Sequence, residues 1–239
     1  MKKLLFATLA IVLAFTLSAV STIAAVDRDL NKVVVSQGKA YTAFGGYIEN
    51  PNYVDTGDVE FTDGIITTEP GYDASWYGFQ ISRAQEDAEE KLYYEVVIDL
   101  GAVTDGLADF IFHTENFISV GIDLPSKVEF FVSDNGTDFT SAGVGAVTGT
   151  VDDATATYNT VELLLDDAVS GRYVKTVITN GDMNMVFCSE IQVIQYTSEA
   201  PVESQPETTP PNTSDDIAIF LAIVAVSAAG LVVISRKRA

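Results

Sequence analysis

Histidine and cysteine are nearly missing from this chain, with one of each, His113 and Cys188, in 239 residues. A lone cysteine excludes an intramolecular disulfide framework. None lies near the N-terminal apolar stretch, so a lipid-modified N-terminal cysteine is excluded too. Stability must come from packing or from a metal. A single histidine also leaves little for catalysis by a nucleophile and its base. His113 ends the apolar run FIFHT and reads as structural, and Cys188 within MVFCSEI reads as a buried, inert thiol. Cations are the next scarcity, with 13 Lys and Arg against 34 Asp and Glu. Five of them, Lys2, Lys3, Arg236, Lys237 and Arg238, sit at the two ends. Eight cations then face 34 acids between residues 26 and 216, a charge of about −26. Nucleic acid is excluded as a partner, and anionic polymers are repelled within a screening length of about 8 Å. Neutral ligands and cations are left. The 34 acids mark no particular carboxylate pair for glycoside hydrolysis, so no enzyme is read from them.

What the chain does have begins with two apolar ends. MKKLLFATLAIVLAFTLSAVSTIAAVD carries two lysines, an apolar stretch and small residues at Ala24 and Ala25, the three parts of a secretory signal. Residues 1–25 are assigned to it, with cleavage after one of the two alanines. At the other end, Ile217 to Ile234 is an 18-residue apolar run, 11 of them Ile, Leu, Val or Phe. As a helix it would measure about 27 Å, close to the hydrocarbon thickness of a bilayer. The basic tail 235–239 would stay cytoplasmic by the positive-inside rule and the body would face out. Residues 198–216, SEAPVESQPETTPPNTSDD, hold four of the seven prolines and read as an extended, solvated spacer. This order of spacer, short motif, apolar helix and basic tail resembles the cell-wall sorting signal of Gram-positive surface proteins. In that family a sortase cuts an LPxTG pentapeptide after threonine. The matching residues are Pro210, Pro211, Asn212, Thr213 and Ser214, so Thr213 is the candidate sorting site. Proline stands there in place of leucine, and serine in place of glycine.

Residues 26–197 form the domain in between, and they read as strand after strand: KVVVSQGKAYTAF, SWYGFQIS, KLYYEVVIDLG, ADFIFHT, KVEFFVSD, TVELLLDD, GRYVKTVIT and MVFCSEIQVIQY. Period-two alternation puts Tyr94, Val96 and Ile98 on one face, and likewise Val128, Phe130 and Val132. SDNG at Ser133 to Gly136 is a turn signal. Only RAQEDAEEKL is weakly helical. Such a series predicts an all-β antiparallel sandwich or jelly roll.

The order of these segments resembles the discoidin, or coagulation-factor type C, domain, whose bacterial relatives include the family 32 carbohydrate-binding modules. The landmarks are VSQGKAYT, FTDGI with SWYGF, VVIDLGAV, PSKVEFFVSDNGTDF, GRYVKTVIT and CSEIQVIQY. The resemblance implies an eight-stranded, galactose-binding-like jelly roll that binds glycans, lipids or proteins through loops at one end and has no catalysis of its own. It also implies a structural calcium ion near Asp63 and Glu190. The second aspartate common in the family is Ile65 here, and Thr67, Thr68 and main-chain carbonyls are candidates to complete the shell.

Sugar rings stack their C–H faces on aromatics while polar neighbours select hydroxyl orientation. The loop GGYIENPNYVDTG offers Tyr47, Asn50, Asn52 and Tyr53, and HTENFISVG offers His113, Glu115, Asn116 and Phe117. Arg83 is one of few cations near a strand end. Trp76 matches the resemblance's strand tryptophan and is expected in the core. The chain is therefore expected to be a surface-displayed, non-catalytic module for a neutral glycan, anchored in the membrane. The alternative is a structural or adhesive surface protein that contacts other proteins.

Overall fold

The computed structural model of the chain describes residues 25–45, 48–49, 52–71, 75–80, 93–183 and 185–198. The expected signal segment up to Ala24, the spacer beyond Ser198, Thr213, Ile217 to Ile234, the basic tail and RAQEDAEEKL lie outside the described residues. Among the described residues the sole helix is a 3-10 turn, Ile118–Val120, and no helix is long and apolar enough to cross a membrane.

The architecture is all-β. The strands are β1 (Asn31–Val34), β2 (Tyr41–Gly45), β3 (Ile48–Glu49), β4 (Tyr77–Gln80), β5 (Tyr93–Asn116), β6 (Lys127–Ser133), β7 (Thr140–Val144), β8 (Ala146–Gly149), β9 (Thr157–Thr179), β10 (Met185–Cys188) and β11 (Glu190–Thr197). The main sheet runs β1-β11-β5-β9-β6-β7, with β2 also on β5 and β8 also on β9; a small sheet runs β10-β4-β3. Every strand pairing is antiparallel.

Two sequence runs each expected as a pair of strands are continuous. KLYYEVVIDLG and ADFIFHT merge into β5, and TVELLLDD and GRYVKTVIT merge into β9. They pair along their whole length except where the register breaks between Asp99 and Asp109. There the two-stranded ribbon bends as one body. Gly101 (φ 90°) and Gly106 (φ 75°) supply the left-handed backbone that the bend needs. A Cβ on Gly106 would lie 2.6 Å from the Tyr196 carbonyl oxygen, so a side chain cannot be accommodated there.

The bend folds the sheet over its own core. From the first half, Tyr94, Val96, Ile98, Val128, Phe130 and Val132 point inward and are buried, as their alternation predicts. Leu107, Phe110, Phe112, Val161, Ile191 and Val193 face them from the second half, and the rings of Phe110 and Phe130 meet at 5.5 Å. The small sheet closes the side, where Phe79 stacks on Tyr94 at 4.1 Å. MVFCSEIQVIQY, expected as one strand, divides at Ser189: Cys188 pairs with Tyr77 in the small sheet and Glu190 with His113 in the main one. Cys188 and Trp76 are fully buried, as expected. The SDNG turn forms, with Ser133 Oγ accepting the Asn135 and Gly136 N–H groups and Gly136 at φ 73°.

This packing predicts a contrast. Phe130→Ala should cost about 3–5 kcal/mol, because it opens a cavity between the two halves, whereas Phe44→Ala at a 51% exposed site should stay within about 0.5 kcal/mol. Urea denaturation of the two variants measures both.

Candidate functional site

The end of the sandwich away from the bend gathers the loops that follow Asn116, precede Thr157 and follow Thr179. Here Trp76, Ile122 and Phe187 form a second apolar cluster, with Tyr53, Phe117, Val120, Tyr158 and Met185 half-buried against it. Tyr53 and Phe187 rings lie 4.7 Å apart, and the Tyr53 carbonyl accepts the Gly78 N–H at 3.0 Å. Two of the sequence candidates, Tyr53 and Phe117, are thus brought together from distant loops onto one aromatic floor. Asn52 is exposed beside Tyr53. Arg83, Tyr47 and Asn50 lie outside the described residues.

The other three ligand candidates are in a different situation. His113, Glu115 and Asn116 are 5%, 0% and 1% exposed, so their side chains serve the fold as placed and do not form a ligand-facing surface. They belong to β5, which pairs with β9 through Asn116 and with β11 as far as His113, and sequence alternation alone could not reveal this. His113 Nδ1 meets the Tyr158 hydroxyl at 2.6 Å and Nε2 meets Gln192 Oε1 at 3.2 Å. Burial pushes the imidazole pKa down, favouring the neutral ring. Asn116 Nδ2 donates to the Asp152 carbonyl at 3.1 Å, tying the loop before β9 to the end of β5. The sequence reading passed over Tyr158 and Asp152. Both partnerships are 45 and 36 residues apart in the chain, and no local pattern marks them.

Two buried glutamates hold the segment that joins Phe61 to Gly71. Glu115 Oε2 accepts the Gly71 N–H at 2.7 Å and Glu190 Oε2 accepts the Gly64 N–H at 3.1 Å. The second oxygen of each is buried with no hydrogen-bond partner among the described residues. Burial raises the Glu115 pKa to about 7, and burial together with the nearby charge of Asp63 raises that of Glu190 to about 8. The two metal candidates, Asp63 and Glu190, are therefore neighbours in space, with Asp63 Oδ1 accepting the Ile65 N–H at 2.7 Å. Among the described residues no group of three or more His, Cys, Asp or Glu side chains converges in a way that could hold a metal by itself. A groove of about 620 Å³ opens at the opposite, bend end, lined by Val34, Val35, Lys39, Leu100, Val103 and Asp105 among others. No aromatic ring lines it and it contains none of the candidate residues, so it offers no stacking face for a sugar.

No protein-family model matches the chain, and no curated protein matches it. Solved structures similar to it include family 32 carbohydrate-binding modules. One is the module of NanJ from Clostridium perfringens in complex with galactose: 15% identity, TM-score 0.43, covering 69% of this chain and 100% of the other. Another is the chitosan-binding module 1 of a chitosanase/glucanase from Paenibacillus sp. IK-5: 17% identity, TM-score 0.42, covering 67% and 98%. A third is the lectin binding domain of lectinolysin complexed with Lewis b: 12% identity, TM-score 0.47, covering 70% and 99%.

Glu115 makes a test of this end of the domain. An acid whose pKa is higher folded than unfolded is kept protonated by the fold, so stability is greatest below the unfolded value near 4.5 and falls as pH rises toward 7. Glu115→Gln keeps an acceptor for Gly71 but cannot ionise. The wild type should lose on the order of 1–2 kcal/mol more than this variant between pH 4.5 and 7.5, measured by denaturant midpoints. Equal losses would show that Glu115 is not held as the neutral acid.

Proposed function

We propose that this chain is a non-catalytic, discoidin-like carbohydrate-binding module displayed at a cell surface, and that it takes a neutral glycan at the loop end around Asn52, Tyr53 and Phe117. The observation that carries this reading is the apolar cluster of Trp76, Ile122 and Phe187 against which Tyr53 and Phe117 both pack, with Asn52 exposed beside Tyr53. It supplies what sugar recognition needs, an aromatic face with a side-chain amide, that of Asn52, beside it. The order of sequence landmarks supports it as well, and the net charge of −21 selects against polyanions. His113, the lone histidine, is buried and engaged through both ring nitrogens, so it is unsuited to serve as a catalytic base. Secretion through residues 1–25, the 198–216 spacer, the 217–234 membrane helix and a cut at Thr213 belong to the same reading. Their support is the sequence alone.

The adhesive alternative calls for a broad exposed apolar face. Across the outer side of the five-strand half, the row Phe44, Glu95, Val177, Glu129, Val144 interrupts its apolar members with carboxylates. Lys175, 3.6 Å from Glu95, sits over the rings of Phe131 and Phe139 in the next row. That face reads as solvated, and the glycan reading is favoured.

A calcium ion belongs to the proposal too. Glu190 presents a buried carboxylate oxygen without a partner among the described residues, beside the charge of Asp63, an all-oxygen setting suited to a hard cation. Asp63 and Glu190 would hold it, with Thr67, Thr68 and main-chain carbonyls as further oxygens. Bound there, the ion would neutralise the two carboxylates and fasten the segment after Phe61 to β11.

Glycan arrays with the secreted domain should find a neutral ligand with a Kd between about 10 μM and 1 mM, since one stack and a few solvent-exchanged hydrogen bonds give only a few kcal/mol. Binding should change little between low and physiological salt, and Asn52→Ala and Tyr53→Ala should each weaken it about 3–10-fold with the fold retained by circular dichroism. Blank arrays with folded protein would move the adhesive reading ahead. For the cation, the melting free energy should rise by about 2.7 kcal/mol at a hundredfold excess of calcium over Kd, and Glu190→Gln should abolish the rise. Equal melting in EDTA and in millimolar calcium would remove the ion from the proposal.

A further inference from the structure

The expected secretory segment was bounded at Ala25, yet Ala25 belongs to the folded domain. It forms an antiparallel bridge with Asp167 on the outer part of β9, and the Val26 N–H donates to the Asp166 carbonyl at 2.8 Å. Two residues later Arg28 reaches across the same edge. Its Nη1 donates to Asp109 Oδ1 at 2.8 Å and to the Tyr196 hydroxyl at 2.9 Å, and its Nη2 donates to the Leu165 carbonyl at 2.9 Å. The guanidinium carbon lies 5.2 Å from the centre of the Tyr196 ring.

Asp109 explains why this arm matters. Its side chain is 3% exposed, and its charge is met by Arg28, by the Tyr196 hydroxyl at 2.7 Å and by Lys32 at 3.9 Å. A buried carboxylate that loses its closest cation is left uncompensated, which a fold tolerates poorly. The short backbone stretch before Arg28, Ala25 and Val26, is paired with Asp167 and Asp166 and leads the chain into this contact.

We infer that the processing site of this chain is the Ala24–Ala25 bond, and that residues 25–28 are kept as a clasp that pairs with β9 and covers Asp109. The inference rests on the secretory reading above and goes beyond it by choosing the bond and giving the new terminus a task. A leader peptidase of the membrane would hydrolyse the amide: water adds across it, Ala24 leaves as a carboxylate on the leader, and Ala25 becomes an α-ammonium on the domain. Two features select this bond over Ala25–Val26. It has small residues, Thr22 and Ala24, at the third and first positions before the cut, whereas a cut after Ala25 would place the bulky Ile23 at the third. It also keeps Ala25 opposite Asp167 with the Val26 N–H on the Asp166 carbonyl, and it puts the new positive charge beside the Asp166 and Asp167 pair.

The test uses the full chain expressed with its leader in a secreting host. Intact-mass and N-terminal sequencing of the exported protein should give Ala25 as the first residue, and Ala24→Leu should block or shift the cut. A first residue at Val26 or later would overturn the inference while leaving secretion standing. A chain that keeps its leader would overturn the secretory reading itself. The clasp has a separate readout: deletion of Ala25 and Val26, or Arg28→Ala, should lower the melting temperature and speed proteolysis near β9, and Arg28→Lys should recover part of the loss. Unchanged melting in both the deletion and Arg28→Ala would show that the arm is incidental.

Discussion

The long ribbon of β5 and β9 is the constraint on which the other elements depend. Its two strands pair from Tyr93 with Thr179 at one extreme to Asn116 with Thr157 at the other, and they pass through the bend together. Because the bend is shared, the inner faces of both halves are fixed relative to each other before any loop is placed. Phe110 can then meet Phe130. Four strands add to edges that this ribbon offers, β2 and β11 to β5, β6 and β8 to β9, and β1 and β7 extend the sheet from β11 and β6. The bend also sends both ends of the ribbon to the same side, and that is why the loops after Asn116, before Thr157 and after Thr179 form one surface.

Charge is distributed by the same geometry. The few cations of the domain are used as fasteners. Arg172 binds Asp99 through two 2.8 Å contacts at the bend, Arg28 binds Asp109 on the outer face, and Lys175 reaches Glu95 between two phenylalanine rings. None of these is placed against Glu115 or Glu190. Those two acids are satisfied on one oxygen by a main-chain N–H group and on the other by nothing among the described residues; burial, joined by the charge of Asp63 at Glu190, raises their pKa values against the lowering effect of those N–H bonds. Glu60, 8% exposed and raised by burial and by Asp55, is a third such acid in the same segment. The stretch between Tyr53 and Gly71 is thus held by carboxyl groups whose protonation depends on solution conditions. The aromatic floor stands beside it.

Local pattern made much of the core legible. The alternation in YYEVVIDL and KVEFFVS placed six inward residues correctly, because period two in a half-buried strand depends only on which side faces water. Cys188 was legible from its apolar neighbours in MVFC, and Trp76 from its match to the strand tryptophan of the discoidin-like resemblance. The strand count was not. KLYYEVVIDLG and ADFIFHT look like two strands since Gly101 and Gly106 resemble a break, but the partner strand bends in step and the pairing survives. MVFCSEIQVIQY looks like one strand, yet it serves two sheets, because the pairing partners of Cys188 and Glu190 differ.

The candidate site divides along the same line. Composition by itself excluded an intramolecular disulfide, set the expectation of a neutral partner over a polyanion, and left a single histidine as material for catalysis. Aromatics in loop-like stretches brought forward Tyr53 and Phe117, whereas Asp63 and Glu190 came from the resemblance of the segment order to the discoidin domain. Tertiary structure decided which of the loop residues are accessible. His113, Glu115 and Asn116 look like a loop in sequence and are buried strand in space, because the first part of β9 pairs with all three and β11 flanks His113 on the other side. It also decided that Asp63 lies near Glu190, 127 positions away, and that Ala25 belongs to the domain. Burial and proximity are properties of the pairing between distant segments, and a chain read one residue at a time carries no measure of either.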